Sequence, residues 1–555
     1  MNTKETTKHT TSHVPGNSLR SALGWAVGLG LAGLVQCPAQ SFRIESFQLD
    51  AQSRPSLIVP VDTNSYYRLL SGEGISNLHT VVALSFSNTI VAPQPATNGQ
   101  AFYRVQRVPL ASPLDSDGDG IDDVWEFEHG LDPLGNEAAQ VAPGDTNTWL
   151  EIYLAQEAVT FDYQYAPGQI SEAYALAQDP VGKAVYVAGI AAGNDGTGHG
   201  LILESTDGGI NWSTNPPMEY YAPGSFRALT LDSSGSLYAA GAGSAYDESI
   251  VLKRSVGGTN WSLADSYSGE PDWGASGTVT ASFSAAAADR NGNVYVAGQG
   301  NGQVNGTLKW YWFVRKFTAT NNSWATVNVF RGSGISLWPN AVACDPSGGV
   351  FVAGTDATAD VDLYNTWAWV VRHSGDGGAT WQTVDTYHVG GTGENTSNVA
   401  RGVAADAKGN VYVVGYGYAN ENDTGHWIVR ASSDGGSSWR TIDDTSSLFP
   451  YVFPTGTGPE AEAITEDGAG RLDVLGSFDD SNYVEHWLVR QSSDGGATWV
   501  NADDFLYGDG SYNAVPQAIL GLSDGSVLAA GSAVVPGDLQ SFRWLVRRLP
   551  RPPQQ

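Results

Sequence analysis

The sequence predicts an all-β protein, and three observations point to this class. Gly (67 residues) and Trp (18 residues) are abundant while charged residues make up only 15% of the chain, which favours short strands joined by tight turns. Within residues 159–549 two short motifs alternate, at intervals of about fifty to sixty residues. Each repeat has room for four strands. Seven repeats therefore predict a seven-bladed β-propeller.

The first motif describes a β-hairpin: a short apolar strand, a polar turn centred on Gly, and a strand of β-branched and aromatic residues ending in Gly. Its clearest copy, Asp406–Gly415, resembles the D-x-x-G-N-V-Y-V-x-G repeat of secreted bacterial propellers. The seven copies are Ala175–Gly189, Ala228–Gly241, Ala285–Gly298, Ala341–Gly354, Gly402–Gly415, Ala463–Gly476 and Ala518–Gly531.

The second motif follows the first and combines a Gly-rich turn with Trp. Clear copies are Ser205–Trp212, Ser374–Trp381, Ser432–Trp439 and Ser492–Trp499, and degraded copies are Ser255–Trp261 and Thr318–Trp324. These copies resemble the Asp-box, or BNR, motif S-x-D-G-G-x-T-W of sialidase-superfamily propellers. Physically the motif is a hairpin staple, because the Asp carboxylate can accept bonds from turn N–H groups and the Trp ring can pack between strands.

The two ends of the repeat region predict how the ring closes. The seventh repeat stops after its third strand, Phe542–Leu549, without a second motif. The segment Val159–Tyr165, just before the first repeat, resembles the fourth strands of other repeats. We therefore expect Val159–Tyr165 to complete the seventh blade, leaving residues 550–555 as a tail.

Charge and the N-terminus indicate an exported protein. A formal net charge of −30 repels nucleic-acid phosphates and anionic membranes, so neither is expected as a partner.

Lys4, Lys8 and Arg20 precede the apolar run Ala22–Val35, which predicts a signal peptide over residues 1–39. Cys37 lies in a poor lipobox, so lipid anchoring is the less favoured reading. After cleavage only Cys344 remains, which excludes an internal disulfide, and no later segment is apolar enough to span a membrane.

Residues 41–110 predict a small β domain, either a sandwich or a barrel. Its β-patterned runs are Phe42–Leu49, Leu57–Val61, Tyr66–Leu70, Val81–Phe86 and Ala101–Val108. Nothing in this segment indicates catalysis, so a structural or docking module is the simpler reading.

Residues 112–158 contain the most specific chemical motif of the chain. The pattern D-x-D-x-D-G-x-x-D-x-x-E predicts a calcium loop with Gly120 at its sharp turn. The expected ligands are the side chains of Asp115, Asp117, Asp119, Asp123 and Glu126 and the carbonyl of Ile121. The segment resembles EF-hand-like and thrombospondin type 3 repeats, and we expect a structural ion. A second loop, Pro143–Tyr153, keeps only Asp145 and Glu151, so one site is predicted.

The repeat also separates scaffold residues from candidate site residues. Arg315, Arg372, Arg430, Arg490 and Arg547 recur at one position and are read as structural, as are the aspartates of the second motif. The first and third turns of a blade share a face, so the variable second turns and blade links share the other, here called the variable face. Function is expected on that face.

The residue before each predicted inner strand should ring the mouth of the channel on the variable face. These positions are Tyr174, Arg227, Ser284, Asn340, Arg401, Glu462 and Gln517. Either Arg could hold a carboxylate and Glu462 could act as acid or base. The adjoining loops add Tyr220, Tyr221, Trp273, Arg331, Trp338, His388, Glu394, Tyr418, Glu421, His426, Asp479, Asp480, Tyr483, Glu485, His486 and Arg543, a mixture of rings and carboxylates that suits sugars.

The favoured function is a secreted non-catalytic binding or scaffold propeller that engages an extracellular glycan or protein. A glycoside hydrolase of the Asp-box kind is the first alternative, although the F/Y-R-I-P motif of sialidases is missing: Phe42-Arg43-Ile44-Glu45 lies in the N-terminal domain and lacks Pro. A hydrolase needs two carboxyl groups about 5–10 Å apart. A polysaccharide lyase is the second alternative, with Arg227 or Arg401 beside His388.

Overall fold

The computed structural model describes residues 43–550, apart from 73–76, 95–101, 111–112, 144–147, 157, 181–183, 214–223, 244–247, 270–280, 305–306, 333–335, 360–364, 391–396, 420–424, 446–457, 468–469, 481–483, 509–513 and 536–537. The predicted signal peptide and Cys37 lie outside these residues. The chain divides into two compact units. The first holds the described residues of Met1–Gly118 and Asp122–Asn136, and the second those of Asp119–Ile121 and Glu137–Gln554.

The first unit contains two three-stranded antiparallel sheets that share one core. One sheet has the order β1-β2-β5 and the other the order β4-β3-β6. Leu57 and Ile90 of the first sheet and Tyr67 and Leu69 of the second form one buried cluster, so the domain is a small sandwich. The strands are β1 (Ser46–Leu49), β2 (Pro55–Ile58), β3 (Ser65–Gly72), β4 (Thr80–Ser85), β5 (Thr89–Val91) and β6 (Phe102–Pro109).

Two short helices follow the sandwich. Helix α1 (Asp123–His129) begins at Asp122, whose side chain accepts the N–H groups of Val124 and Trp125, and it ends at Gly130 in the left-handed conformation. Helix α2 (Trp149–Gln156) packs against the outer strand of a later sheet, β30 in chain order (Val500–Phe505), within the second unit.

The second unit consists of antiparallel sheets in which successive strands pair in chain order. Its strands begin with β7 (Val159–Tyr163), β8 (Ser171–Gln178), β9 (Val185–Ala192), β10 (Gly198–Ser205), β11 (Ser225–Leu231), β12 (Leu237–Ala242), β13 (Ser249–Arg254), β14 (Trp261–Tyr267), β15 (Ala281–Ala288), β16 (Val294–Val304), β17 (Thr307–Thr318) and β18 (Ser323–Phe330). They continue with β19 (Ser336–Cys344), β20 (Val350–Ala359), β21 (Asn365–Ser374), β22 (Gln382–Tyr387), β23 (Ser397–Ala405), β24 (Val411–Tyr418), β25 (His426–Ser432), β26 (Arg440–Asp444), β27 (Glu460–Glu466), β28 (Leu472–Asp479), β29 (Glu485–Ser492), β30 (Val500–Phe505), β31 (Ala514–Gly521), β32 (Val527–Val535) and β33 (Asp538–Leu549).

These strands form four-stranded sheets in chain order. The sheets are β11–β14, β15–β18 and β27–β30, while β8, β9 and β10 form a sheet of three described strands. Strands β19–β22 and β23–β26 are joined by a single bridge between Trp367 and Ser397. The last sheet combines β31, β32 and β33 with β7, which pairs antiparallel with β33 from Val159 against Arg548 to Tyr163 against Trp544.

The inner strands of these sheets contact one another in a closed cycle. Strand β8 contacts β11, and the contacts continue through β15, β19, β23, β27 and β31 back to β8. Hydrophobic clusters fill the space between neighbouring sheets, and five of the third strands each contribute a large buried aromatic residue. Trp312, Trp369, Trp427, Trp487 and Trp544 are these residues, and all are fully buried.

Among the described residues, neither helix is long and apolar enough to cross a membrane.

Candidate functional site

The Gly-rich turns of the second motif act as staples of the hairpin. In the copy Ser374–Trp381, Asp376 accepts the N–H and the hydroxyl of Thr380 at 2.8 and 2.6 Å, and the Trp381 indole donates to the Gly378 carbonyl at 3.1 Å. The equivalent aspartates, Asp207, Asp434 and Asp494, are bonded in the same way. Bonds from Ser438 lower the pKa of Asp434 to about 2. These aspartates are occupied by the scaffold.

The repeated arginines join neighbouring sheets. Arg430 on β25 makes a two-pronged bond to Asp385 on β22 of the preceding sheet, at 2.8 and 2.9 Å. The pairs Arg315–Asp265, Arg490–Asp443 and Arg547–Asp503 repeat this arrangement. Arg372 occupies the same position but stacks on Phe330 at 4.4 Å. The reading of these arginines as structural therefore agrees with their contacts.

The predicted mouth residues share a backbone feature that sequence reasoning missed. Each is the extra residue of a β-bulge in an inner strand: Tyr174, Arg227, Ser284, Asn340, Arg401, Glu462 and Gln517. They lie inside the strands rather than just before them, which corrects the expected placement. A bulge leaves its extra residue outside the ladder and re-aims its side chain. The variable residue of every repeat is therefore displayed by the same backbone device.

The Gly that ends each first motif makes room for the bulge. A Cβ on Gly476 would lie 2.0 Å from the Glu460 carbonyl oxygen, and one on Gly415 would lie 1.9 Å from that of Val399. The corresponding distances at the other five copies are 1.8 to 2.5 Å, at Gly189, Gly241, Gly298, Gly354 and Gly531. No real side chain tolerates such a contact with backbone, so the repeat requires Gly here.

Two of the mouth residues bind neighbouring inner strands rather than facing a ligand. The Ser284 hydroxyl donates to the carbonyl of Pro339 on β19, and the Asn340 amide donates to the carbonyl of Ala400 on β23 at 2.7 Å. Both side chains fasten adjacent strands of the cycle. They are scaffold residues by their contacts.

At two other bulges a cation lies over an aromatic ring. Arg227 on β11 is exposed, and its guanidinium lies 4.5 Å from the centroid of the Tyr174 ring on β8. The Tyr174 hydroxyl donates to Glu172. Burial and Glu172 raise the pKa of Tyr174, so it stays protonated. Arg227 is thus an accessible cation held in place by an aromatic ring.

A denser polar cluster lies between β23 and β27. Arg401 Nε lies 3.4 Å from Glu462 Oε2, and Arg401 Nη2 donates to the Tyr416 hydroxyl at 3.4 Å. Burial lowers the pKa of Arg401, but Glu462, Tyr416 and Glu460 together outweigh this and the net shift is upward. Burial also raises the pKa of Tyr416 to about 12, so the phenol is a hydrogen-bond donor at neutral pH.

Glu460 also belongs to this cluster, although the sequence did not single it out as a candidate site residue. Its side chain shares a hydrogen bond with that of Glu462. Burial and the charge of Glu462 raise the pKa of Glu460 to about 8. Burial likewise raises the pKa of Glu485 on β29 to about 7, with Asp479 and Glu462 adding to the shift. At neutral pH the group therefore presents protonated and charged carboxyls side by side.

Several other predicted variable-face residues form cross-strand pairs. His426 bonds Asp444 at 2.7 Å and His486 bonds Asp504 at 2.6 Å, each between the third and fourth strands of one sheet. Arg543 bonds Asp162 in the same way. Burial lowers the pKa of His388. Tyr220, Tyr221, Trp273, Glu394, Glu421 and Tyr483 lie outside the described residues.

Three carboxylates come together in the loop before α1. Ligand oxygens of Asp115, Asp117 and Asp119 lie within 4.8 Å of one another, and Asp115 is buried. Three like charges this close repel one another unless a cation lies among them. This group could therefore hold a metal ion. Gly120, with φ of 100°, makes the sharp turn of the loop, and Glu126 is fully buried.

Asp123 departs from the predicted ligand set. Its Oδ1 accepts the Ser116 N–H at 2.8 Å, and its Oδ2 accepts the hydroxyls of Tyr66 and Ser116 at 2.6 and 2.7 Å. The residue is fully buried, and burial raises its pKa. Because both oxygens are already engaged, Asp123 anchors the loop to the sandwich of the first unit rather than extending the carboxylate group.

No protein-family model matches the sequence, and neither does any curated protein. Solved structures do resemble it. An ulvan lyase of polysaccharide lyase family 25, bound to -[GlcA(1-4)Rha3S]-, is 12% identical over 69% of this chain and 97% of its own, with a TM-score of 0.44. A Trypanosoma rangeli sialidase is 10% identical over 71% and 60%, with a TM-score of 0.36. The β-propeller domain of the trilobed protease from Pyrococcus furiosus is 10% identical over 65% and 92%, also with a TM-score of 0.36.

Likeness this distant says nothing about activity. The four-stranded antiparallel sheets and the closed cycle of inner strands are those of a β-propeller. The prediction of an all-β propeller is confirmed at this level.

Proposed function

We propose that this protein is a secreted, non-catalytic β-propeller that binds an extracellular glycan on its variable face. The observation that carries the proposal is the ring of bulged residues. Each repeat holds one variable side chain out of the ladder of its inner strand. Ser284 and Asn340 fasten neighbouring strands, whereas the repeated residues form hairpin staples and sheet-to-sheet pairs. A scaffold that leaves the remaining bulged side chains to vary from repeat to repeat suits recognition.

The charged cluster favours binding over glycoside hydrolysis. The side chains of Glu460 and Glu462 interact directly with each other, which is not the arrangement of two separated carboxyl groups that hydrolysis of a glycosidic bond requires. Arg401 is already paired with Glu462. A Tyr, an Arg and two carboxyls offer both donors and acceptors to sugar hydroxyls.

A polysaccharide lyase is the second candidate, because Arg401 lies beside the Tyr416 hydroxyl. A lyase of this kind uses a cation against the substrate carboxylate and a phenolate or imidazole as base. The raised pKa of Tyr416 opposes the base role, and Glu462 already neutralises Arg401. Release of unsaturated products from uronate-containing polysaccharides would establish this candidate over binding.

Two structural elements belong to the proposal. The cycle of inner strands supports seven blades, and the pairing of β7 with β33 supports closure of the last blade by the N-terminal strand. The carboxylates of Asp115, Asp117 and Asp119, together with Glu126 and the Ile121 carbonyl, would hold a structural Ca²⁺, since hard oxygen ligands in this order suit calcium.

A glycan array tests the binding proposal. The intact exported protein should bind at least one glycan, and Arg401→Ala or Glu462→Ala should weaken that binding about tenfold. The control is Asp434→Asn, in a turn on the opposite face, which should bind like wild type. Unchanged binding in both mouth variants would remove the channel mouth from the proposal.

Calorimetric titration with Ca²⁺ tests the metal loop. Asp117→Asn should weaken Ca²⁺ binding by at least tenfold, because one charged ligand is lost. Asp122→Asn is the matched control: it removes one charge from the same loop, and Asn caps a helix as well as Asp does. Undiminished affinity in Asp117→Asn would refute the ligand assignment.

A further inference from the structure

Two tryptophans meet at the variable-face end of the sheet β19–β22. Trp338 is the third residue of β19 and Trp367 the third of β21, and their ring centroids are 5.3 Å apart with the planes tilted by 53°. Trp338 pairs with Thr355 and Trp367 with Ala357 on β20. Because paired residues share a side and Thr355 and Ala357 are two apart, both rings lie on the same face of the sheet.

This pair differs from several neighbouring tryptophans in what it packs against. Trp369, two residues beyond Trp367, is fully buried in the cluster between the sheets β19–β22 and β23–β26. The half-buried Trp310 and Trp381 also pack against clusters between sheets. In the hydrophobic clusters formed by the described residues, neither Trp338 nor Trp367 takes part. Both rings are half-buried, so part of each faces solvent.

The backbone beneath the pair is held firmly. Trp367 bridges to Ser397 at the start of β23, and the Asn398 amide donates to the Trp367 carbonyl at 3.4 Å. The Asn398 side chain also accepts the N–H of Val389 at 2.8 Å. The rings are therefore presented by strands rather than by a loose loop, which lowers the entropic cost of binding to them.

The pair also adjoins the charged cluster. Strand β23 begins beside Trp367 at Ser397 and carries Arg401 four residues further on, about 13 Å along the strand at the usual rise. Arg401 in turn pairs with Glu462. A ligand lying along β23 would meet aromatic surface at one end and hydrogen-bonding groups at the other.

We infer that Trp338 and Trp367 form a stacking platform for the apolar face of a sugar ring, in an oligosaccharide whose hydroxyls reach the Arg401–Glu462 pair. Rings 5.3 Å apart leave no room for a ligand between them, so the sugar lies across their outer faces. The net charge of −30 disfavours anionic sugars, which makes a neutral glycan the ligand class. This inference rests on the proposed glycan-binding function.

Affinity electrophoresis through gels containing neutral soluble polysaccharides tests the platform. The probes are mixed-linkage β-glucan, xylan, galactomannan and starch, each in a separate gel. Wild type should be retarded by at least one. Trp338→Ala and Trp367→Ala should each weaken that binding about tenfold, because they remove the stacking surface. Trp338→Phe and Trp367→Phe, which keep a ring, should retain most of it.

The outcomes separate this inference from the proposed function. If the Ala variants migrate like wild type while Glu462→Gln binds less, the platform is refuted and binding at the mouth stands. If the Ala variants lose binding and Glu462→Gln does not, the platform stands and the mouth proposal fails. If no neutral glycan retards wild type but a Lys-rich peptide binds and the Ala variants release it, the platform is a cation–π site and the sugar assignment is overturned. Melting temperatures within a few degrees of wild type confirm that the variants are folded.

Discussion

The carbonyl oxygen of Glu460 lies 2.0 Å from the position that a Cβ atom would take on Gly476. This close approach exists because β27 bulges between Ala461 and Ala463, which draws its backbone towards β28. The Gly that ends the first motif is the same in every repeat, and it makes room for the bulged residue, which varies between repeats. It permits the bulge that holds Glu462 outside the ladder.

Gly476→Ala should destabilise the protein by about 3 kcal/mol, the upper end for overpacking, because the clashing atom is backbone and cannot rotate away. It should also weaken glycan binding, since the bulge would have to shift. Urea unfolding measures the first effect. Gly435→Ala is the comparison: its Cβ meets nothing within 4 Å, so the only cost is the left-handed φ of 69°. Equal unfolding midpoints for the two variants would contradict the role given to the bulge.

Arg430→Met should destabilise the protein by about 3–5 kcal/mol, because it leaves the buried Asp385 carboxylate without its cation. The matched control is Arg372→Met. Arg372 has no carboxylate partner among the described residues, and burial alone lowers its pKa, so its loss should cost little. Thermal melting of both variants distinguishes them. A similar loss from each would mean that the Arg–Asp pairs do not fasten the sheets.

Much of the fold could be predicted from the sequence because it repeats. The hairpin motif and the Asp of each Gly-rich turn act locally, within about eight residues. Their hydrogen bonds can therefore be predicted from the local sequence. The match between Val159–Tyr165 and other fourth strands likewise anticipates the pairing of β7 with β33.

The candidate site was less predictable, for physical reasons. A bulge depends on how two strands pair, which the sequence of one strand does not show, so the predicted mouth residues were placed outside the strands that contain them. Asp385 pairs with an Arg 45 residues away in another repeat, which no local pattern reveals. Asp123 matches the spacing of a metal ligand, but its environment is set by Tyr66, 57 residues earlier.

Glu460→Gln should flatten the dependence of stability on pH. The folded pKa of Glu460, about 8, lies above its unfolded value near 4.5. The folded protein thus keeps a proton that the unfolded chain releases, and stability falls as pH rises between these values. Gln keeps the donor to Glu462 and cannot titrate. Relative to wild type, the variant should gain stability between pH 5 and pH 8 in urea unfolding; parallel profiles would contradict the shared proton.

Asp434→Asn should lower stability above about pH 4, and this effect should disappear in acid. Hydrogen bonds from Ser438 hold the folded pKa of Asp434 at about 2, below its ordinary value of 3.8. Stability from this group is therefore complete above pH 4 and is lost as pH falls through about 2. The difference in melting temperature between wild type and variant should shrink from pH 5 to pH 2. A constant difference would show that the carboxylate charge contributes nothing to the staple.

The position of a bound glycan in a crystal of the intact protein tests the central claim most directly. Crystals soaked with the glycan that binds most tightly should show a sugar ring against Trp338 or Trp367 and its hydroxyls within hydrogen-bond distance of Arg401 or Glu462. Ordered sugar confined to the opposite face, among the Gly-rich turns around Asp376 and Asp434, would contradict the assignment of the variable face.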